Sequence, residues 1–179
     1  LVNHNILIDK LQIYTRSEST VSFIRSFLLN RSQRVVVNTE HSKSGWIECG
    51  VPQGSVLGPL LFCIFINDMP LHITNQAVSC DLFADDSSLH TSSSDITTAQ
   101  FSLQKELNTV VKWSEDNKMI IHPKKTKSIV ISTRQKHQRA PLNINLYLGT
   151  DPIEQVSSHR VLGVVIDDEM RWNLHINNV

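Results

Sequence analysis

Hydrophobic residues recur every three to four positions in several parts of the chain, the spacing of one buried helix face. Residues 1–29 carry two such stripes, and Ser17 and Ser19 stand between them as candidate helix caps. A dense apolar run from Pro59 to Asn67 predicts a further helix. Residues 98–117 carry a longer stripe and predict a long helix with one buried face, preceded by a polar cap cluster at Ser92–Asp95.

Short segments rich in β-branched residues lie between these helices and predict strands. The predicted strands are 34–38, 45–49, 78–83, 87–90, 128–132, 142–148 and 161–166. Polar turns are expected at 40–44, at Ala84–Asp86 and at 149–152. The order of elements predicts the α+β class, with an antiparallel sheet covered by helices on one face.

The chain has 179 residues, of which 40% are hydrophobic. This content is sufficient for a hydrophobic core and argues against a disordered chain. The longest apolar stretch, Pro59–Ile66, is too short to cross a bilayer, so no membrane partner is expected. Three widely spaced cysteines, Cys49, Cys63 and Cys80, predict reduced thiols in an intracellular protein. A chain that starts at Leu1 in a helix-like pattern is interpreted as a fragment.

The formal net charge is zero, but the charges are segregated along the chain. Residues 44–104 contain acidic residues and no lysine or arginine, whereas 112–139 are strongly basic. An acidic segment beside a basic one suits a polyanionic ligand held through metal ions. Chance segregation on a solvated surface is the alternative.

Two adjacent aspartates, Asp85 and Asp86, follow an apolar strand at a predicted hairpin turn. Aspartate is uncommon in strands, and neighbouring carboxylates repel each other unless they face solvent or share a cation. Mg²⁺ is bound by one or two carboxylates together with substrate phosphates. The pair is therefore a candidate metal site, and an ordinary polar turn is the alternative.

A glycine-rich segment, Gly50–Gly58, precedes the apolar helix and has Gln53 in its midst. Glycines let backbone approach a ligand closely, and Ser55 is a candidate cap for the helix that follows. Free N–H groups at such a helix start favour an anion. A turn before a core helix explains the glycines but not Gln53.

A basic motif, Pro123–Lys127, lies between a predicted helix and a predicted strand. A lysine beside a pyrophosphate leaving group can neutralise charge or donate a proton. A solvated basic loop is the better interpretation of Lys124 and Lys127.

Together these segments resemble the reverse transcriptases of non-LTR retrotransposons, in particular jockey-like long interspersed elements. The matching segments are Val51–Pro59, Phe83–Asp86, Trp113 through Lys125 and Thr126, and Leu162–Val164. The resemblance covers essentially the whole chain. The segment around Gln53 and the aspartate pair are its most specific parts.

The resemblance implies a right-hand polymerase palm with partial fingers and the start of a thumb. On this basis residues 1–58 are fingers and palm, 59–139 are palm with the Asp-Asp hairpin, and 140–179 begin the thumb. Asp85 is implied as the principal metal ligand and Asp86 as the lesser one. Ala84 occupies the variable position before the pair, and Phe83 replaces a common tyrosine.

The resemblance implies roles for further residues. Gln53 and Gly54 line the pocket for the template base and incoming nucleotide, Lys125 donates a proton to pyrophosphate, and Leu162, Gly163 and Val164 form the hairpin that steadies the primer end. The implied activity is RNA-directed DNA polymerisation with two Mg²⁺ ions, or Mn²⁺ in their place. The implied partners are an RNA template, a DNA primer and deoxynucleoside triphosphates.

The chain departs from the family pattern at two places. His122 stands where asparagine is common, which implies a local loop change. The family's first catalytic aspartate lies in a Phe-Asp pair just before the residues that match Val2 and His4, and Asp9 is a poor substitute for it. We therefore expect residues 1–179 alone to be inactive.

The resemblance also implies a parent polyprotein, which in this family can include an endonuclease, and a location in nucleus and cytoplasm. Two other functions remain. One is a catalytically dead relic of the fold that binds nucleic acid through residues 112–139. The other is an unrelated metal-dependent phosphotransferase, against which the joint match of Gln53–Pro59 and the aspartate pair argues.

Overall fold

Helices and short strands alternate along the chain. A computed structural model describes residues 2–139 and 142–177. The helices are α1 (His4–Tyr14), α2 (Glu18–Leu28), α3 (Leu57–Ile66), α4 (Ile96–Asp116), α5 (Arg134–Arg139) and α6 (Asn173–Ile176). The strands are β1 (Ser32–Gln33), β2 (Val36–Val37), β3 (Glu40–His41), β4 (Gly45–Trp46), β5 (Val78–Phe83), β6 (Asp86–Thr91), β7 (Lys127–Ser128), β8 (Tyr147–Leu148), β9 (Asp151–Pro152), β10 (Glu154–Gln155), β11 (Ser158–Val161) and β12 (Val164–Asp167). This mixture agrees with the predicted α+β class.

The strands of the described residues associate only in pairs. The pairs are β1–β4, β2–β3, β5–β6, β7–β10, β8–β9 and β11–β12. β7 and β10 run parallel, whereas β1–β4, β2–β3, β8–β9 and β11–β12 are antiparallel. The structure thus corrects the prediction of one antiparallel sheet. Most of these strands are two residues long, so each offers few backbone groups to a third strand.

The sequence predicts that residues 142–148 form an extended strand paired with a neighbour. In the structure, glutamine side chains take the place of that neighbouring strand. The N–H groups of Ile144, Asn145 and Tyr147 donate to the side-chain oxygens of Gln155, Gln100 and Gln104 at 2.8, 2.9 and 2.8 Å. Only β8 at the end of this segment pairs as a strand. The predicted strand 128–132 is likewise shorter, because only β7 pairs. Hydrophobic alternation locates these buried segments but does not reveal which groups satisfy their backbone.

The chain divides into two compact units. The first contains residues 2–72, Asp81–Ser88 and Lys112–Ile120. Its helices α1, α2 and α3 pack on one another. Their buried side chains include Leu7, Ile8, Leu11, Val21, Ile24, Leu28, Leu61 and Phe65. The two predicted N-terminal stripes are therefore confirmed, and the Ser17 side chain caps α2 by accepting from the N–H of Thr20.

The hairpin that follows α2 differs from its prediction in the position of the turn. β1 pairs with β4 and β2 with β3, so the chain reverses between Val37 and Glu40 and not at residues 40–44. Asn38 has a φ of 55° at this reversal. Asparagine tolerates the left-handed region better than most residues, which favours a tight turn at this position.

The second unit contains Ile73–Cys80, Leu89–Val111 and residues 121–177. Its core joins Leu107 of α4 to residues before and after the β8–β9 hairpin. The buried members are Leu107, Ile144, Leu146, Leu148 and Ile153, with Leu103, Val111 and Val130 packed against them. The predicted apolar face of α4 is thus confirmed.

Asp95 caps the start of α4. Its Oδ2 atom accepts hydrogen bonds from the N–H and the hydroxyl of Thr98 at 2.8 and 2.7 Å. These bonds favour the charged carboxylate and lower the pKa of Asp95, the hydroxyl contributing most. The helix starts two residues before the predicted position, and its polar cap is confirmed.

Lys10 is a nearly buried cation that joins three helices of the first unit. Its Nζ atom donates to the Phe65 carbonyl at 2.7 Å and to Asp68 Oδ1 at 2.6 Å. It also lies 4.8 and 4.9 Å from the ring centres of Phe65 and Trp113. The indole N–H of Trp113 donates to the same Asp68 oxygen at 3.2 Å. Asp68 is therefore the shared acceptor that holds α1 and α4 to the end of α3.

We expect Asp68→Ala to lower the free energy of unfolding by about 2–3 kcal/mol, because it leaves a nearly buried ammonium without its carboxylate partner and an indole N–H without its acceptor. Lys10→Met should lower it by only about 1 kcal/mol, because methionine fills the apolar space and removes the charge. Urea unfolding of both variants measures the difference. An equal or larger loss for Lys10→Met would contradict the assigned role of Asp68.

The pH dependence provides a second measurement on the same pair. Burial lowers the pKa of Lys10 below its ordinary 10.5, although Asp68 opposes the shift. Between the lowered pKa and 10.5 the unfolded chain binds more protons, so this group makes stability rise with pH in that alkaline window. Lys10→Met should abolish this contribution.

No helix in the described part of the chain is long and apolar enough to cross a membrane.

Candidate active site

The aspartate pair lies at the tip of the β5–β6 hairpin. The turn consists of Ala84 and Asp85, and Asp86 is the first residue of β6. Ala84 has a φ of 50°, in the left-handed region that two-residue hairpin turns require at their first position. The predicted hairpin is confirmed, with a turn one residue shorter than expected.

The base of this hairpin is held by hydrogen bonds within the second unit. Thr91 Oγ1 donates to the carbonyl of Ala77 at 2.6 Å, across the two strands. The N–H of Val78 donates to the carbonyl of Asn75 at 2.9 Å, and the N–H of Ala77 donates to the Asn75 side chain. Both strands are therefore tied together where they leave the core.

Both aspartates of the pair are exposed, as is Phe83 before them. Among the described residues, neither carboxylate forms an ion pair with lysine or arginine. Adjacent carboxylate oxygens that have no lysine or arginine partner are suitable ligands for a hard divalent cation such as Mg²⁺. The same part of the chain places no group of three or more His, Cys, Asp or Glu side chains to hold a metal ion. The pair thus offers two carboxylates.

The loop that contains Gln53 belongs to the same unit as the aspartate pair. Gln53 and Gly54 are exposed, and Gly54 has a φ of 76°, which favours glycine at that position. Anchors on both sides hold this exposed stretch.

The rear anchor is built around the carbonyl of Pro52. It accepts from the hydroxyl of Ser55 at 2.6 Å and from the Ser55 N–H at 3.3 Å. The Ser55 hydroxyl oxygen in turn accepts from the N–H of Gly58 at 3.0 Å. This confirms the expected capping contact, although Ser55 lies one residue before the N-cap position, Val56. A Cβ atom on Gly58 would lie 2.8 Å from the Pro52 oxygen, so glycine is required there.

The front anchor joins the segment before α1 to Gly50. The N–H of Gly50 donates to the carbonyl of Val2 at 2.7 Å, and Asn3 forms an isolated antiparallel bridge with Cys49. The ring of His4 lies with its Nε2 atom 2.7 Å from the carbonyl oxygen of Gly50. His4 is 5% exposed and Gly50 is half-buried, so this contact is partly shielded from water.

The remaining candidate residues lie in the second unit. Lys125 is exposed at the end of the 3₁₀ turn Pro123–Lys125, and its proposed role remains a prediction. Lys127 is the first residue of β7, is half-buried and forms an ion pair with Glu154, so its interpretation as part of a solvated loop is wrong. Lys124 is exposed, in agreement with that interpretation.

Leu162 and Gly163 form the two-residue turn between β11 and β12. Their φ angles are 48° and 87°, both in the left-handed region, and Val161 pairs with Val164 across the turn. The predicted continuous strand 161–166 is therefore wrong. A run of apolar residues masks the turn, since leucine is uncommon at positive φ. The hairpin implied by the family resemblance is present, and its contact with a primer remains a prediction.

Sequence reasoning missed two buried polar residues near these segments, His4 and Glu106. Glu106 of α4 is completely buried and accepts hydrogen bonds from Thr74 and Asn75, just before β5. Glu106 is adjacent to Leu107 on the apolar face of α4, and this position is a sequence signal that the glutamate is buried. Nothing in the pattern around His4 indicates its partner, which lies 46 residues away.

Known reverse transcriptases are similar to this chain over most of its length. Residues 1–166 match the family described as reverse transcriptase (RNA-dependent DNA polymerase). The chain is 31% identical over 162 residues to the RNA-directed DNA polymerase from mobile element jockey of Drosophila melanogaster, covering 87% of this chain and 17% of that protein. The jockey polymerase of Drosophila funebris is 30% identical over 168 residues, 91% of this chain and 18% of that protein.

A more distant similarity is to the retrovirus-related Pol polyprotein from the type-1 retrotransposable element R1 2 of Nasonia vitripennis. It is 27% identical over 134 residues, covering 73% of this chain and 32% of that protein. The chain thus spans less than a third of the length of each of these relatives. It belongs to the reverse transcriptase (RNA-dependent DNA polymerase) family, and its relatives there include the polymerases of non-LTR mobile elements.

Proposed function

We propose that this chain is the palm-centred part of an RNA-directed DNA polymerase that extends a primer 3′ end by nucleotidyl transfer. The observation that carries the proposal is the exposed aspartate pair at the tip of a hairpin, in the same compact unit as the Gln53 loop. The substrates would be an RNA template, a DNA primer and deoxynucleoside triphosphates. The similarity to jockey polymerases over 87% of the chain supports this class of substrate.

The proposed chemistry is in-line attack of the primer hydroxyl on the α-phosphate of the nucleotide. Two bound Mg²⁺ ions, or Mn²⁺, would lower the pKa of the attacking hydroxyl and stabilise the charge that develops on the leaving group. Asp85 would be the principal ligand and Asp86 the lesser one. The protein contributes mainly by positioning, since no covalent intermediate is needed.

The other residues would orient the substrates. Gln53 and Gly54, with Phe83 and Ala84, would line the pocket for the template base and the nucleotide. The exposure of all four residues, at a loop and a hairpin tip of one compact unit, supports this.

Two assignments concern the second unit. Lys125 would protonate the pyrophosphate as it leaves, because a lysine ammonium is a suitable general acid there. The turn formed by Leu162, Gly163 and Val164 would contact the primer end. By family resemblance, residues 1–58 would be fingers and palm, 59–139 palm, and 140–179 the start of the thumb.

The described residues provide two carboxylates, whereas the family site uses three. We therefore propose that residues 1–179 alone do not polymerise and that a longer parent polyprotein, which can include an endonuclease, supplies the third. The match covers only 17% and 18% of the two jockey polymerases, which supports this view.

Primer extension on an RNA template tests the proposal directly. A protein that extends this chain at its N-terminus should incorporate labelled deoxynucleotides in the presence of Mg²⁺ and lose all incorporation in EDTA. Residues 1–179 alone should incorporate none. Robust extension by residues 1–179 would refute the need for a third carboxylate, and no extension by the longer protein would refute the polymerase assignment.

The catalytically dead relic is the second candidate. The basic segment supports it, because Lys112, Lys118, Lys124, Arg134 and Lys136 are all exposed. A relic would bind RNA–DNA duplex with a strong salt dependence and without a requirement for Mg²⁺. Binding of that kind by a longer protein that does not extend a primer would favour this candidate.

A further inference from the structure

We propose that His4 is a positioning residue for nucleotide selection, because it holds the front of the Gln53 loop through the carbonyl of Gly50. The role in nucleotide selection rests on the proposed polymerase function, whereas the anchoring of the loop by His4 does not depend on that function. Neither the family resemblance nor the motifs around Gln53 assign any role to His4.

The contact has a defined direction. A carbonyl oxygen can only accept, so Nε2 of His4 must carry the hydrogen that it donates to Gly50 at 2.7 Å. His4 is 5% exposed and Gly50 is half-buried, so water has only partial access to the contact. Loss of this donor would leave the carbonyl of Gly50 without its protein partner in a partly buried position.

The same residue, Gly50, is also held through its N–H by Val2 at 2.7 Å. Gly50 has a φ of 89°, so it forms a bend at which the chain turns into the loop. His4 and Val2 together fix both polar groups of this bend. The direction in which the chain leaves Gly50 therefore depends on them.

The rear of the loop has its own anchor, the contacts of Ser55 and Gly58 with Pro52 and with each other. Val51 is the one residue between Gly50 and Pro52. The exposed residues Gln53 and Gly54 follow directly after Pro52. Because so few residues lie between Gly50 and Gln53, a change in backbone direction at Gly50 also shifts Gln53. We therefore expect loss of the His4 contact to misplace Gln53 while helices α1 and α2 stay folded.

The test uses His4→Leu, which keeps similar volume without a donor, His4→Gln, which restores a side-chain N–H, and Asn5→Ala as an exposed control on the same helix. In the N-terminally extended protein, His4→Leu should raise the KM for the nucleotide about tenfold and increase misincorporation, with kcat nearly unchanged. His4→Gln should recover part of this loss, and Asn5→Ala should match the wild type.

Hydrogen exchange of the same proteins separates anchoring from general stability. His4→Leu should accelerate exchange of the Gly50, Ser55 and Gly58 amides and leave the amides of α2 unchanged. Faster amide exchange throughout the first unit, or unchanged amide exchange in the loop, would overturn the proposal. So would an unchanged KM and unchanged misincorporation in an active polymerase. If the wild type does not polymerise, the proposed function fails, and the exchange pattern still decides whether His4 holds the loop.

Discussion

Asp85→Ala in the N-terminally extended protein is expected to lower nucleotide incorporation by about 10³-fold or more, because it removes the principal ligand of the Mg²⁺ ions that would stabilise charge at the reacting phosphate. Asp85 is exposed in a turn, so its removal should leave the fold intact. Primer extension at saturating Mg²⁺ measures the loss. Asp86→Ala should lower incorporation less, in keeping with its lesser role.

The matched control is Asp9→Ala, which removes an exposed carboxylate from α1 and should leave incorporation unchanged. Binding of primer–template should be nearly unaffected by Asp85→Ala. In EDTA the variant should bind RNA–DNA slightly more tightly, because one repulsive charge is gone. A collapse of binding would show that Asp85 holds the hairpin together, and its catalytic assignment would then be withdrawn.

Glu106→Ala is expected to produce the largest loss of stability, about 2–4 kcal/mol in the free energy of unfolding. The carboxylate accepts from the N–H of Asn75 at 3.0 Å and from the N–H and hydroxyl of Thr74 at 3.3 Å each. The variant leaves these donors without their acceptor and opens a cavity in a completely buried position. Urea unfolding of the protein measures the change.

Two further variants separate this network from a general effect on α4. Glu106→Gln keeps one acceptor oxygen but directs an amide group at a donor, so its loss should be intermediate. Glu115→Ala removes an exposed carboxylate from the same helix and should change stability by less than about 0.5 kcal/mol. If Glu106→Ala were as mild as Glu115→Ala, the loop before β5 would not depend on this carboxylate.

The features that the sequence predicts well are those encoded within a few neighbouring residues. Ser17 as a helix cap and the polar start of α4 at Asp95 are local patterns, and both are confirmed. The hairpin of the aspartate pair is confirmed for the same reason, since its strands and turn are contiguous. Such elements depend on spacing and capping, which a single sequence displays directly.

The features that it does not predict depend on partners far along the chain. Gln100 and Gln104 supply the acceptors that a neighbouring strand would otherwise provide to residues 145 and 147. His4 reaches Gly50, and Glu106 reaches the loop before β5, across 46 and 31 residues. Hydrophobic spacing identifies which segments are buried but does not show which polar groups satisfy them.

A turn can also be hidden by its own composition. Leu162 and Gly163 reverse the chain between β11 and β12 with two positive φ angles, although the surrounding residues have the pattern of one strand. Here the family resemblance indicated a hairpin that the hydrophobic pattern alone did not.

Mn²⁺ binding followed by electron paramagnetic resonance tests the central claim most directly, because it reports on the cation at the carboxylates without requiring catalysis. The N-terminally extended protein should bind Mn²⁺ more tightly when a deoxynucleoside triphosphate is present, and Asp85→Ala should weaken that binding at least about tenfold while Asp9→Ala leaves it unchanged. Equal Mn²⁺ affinity in the wild type and in a variant that lacks both Asp85 and Asp86 would contradict the account.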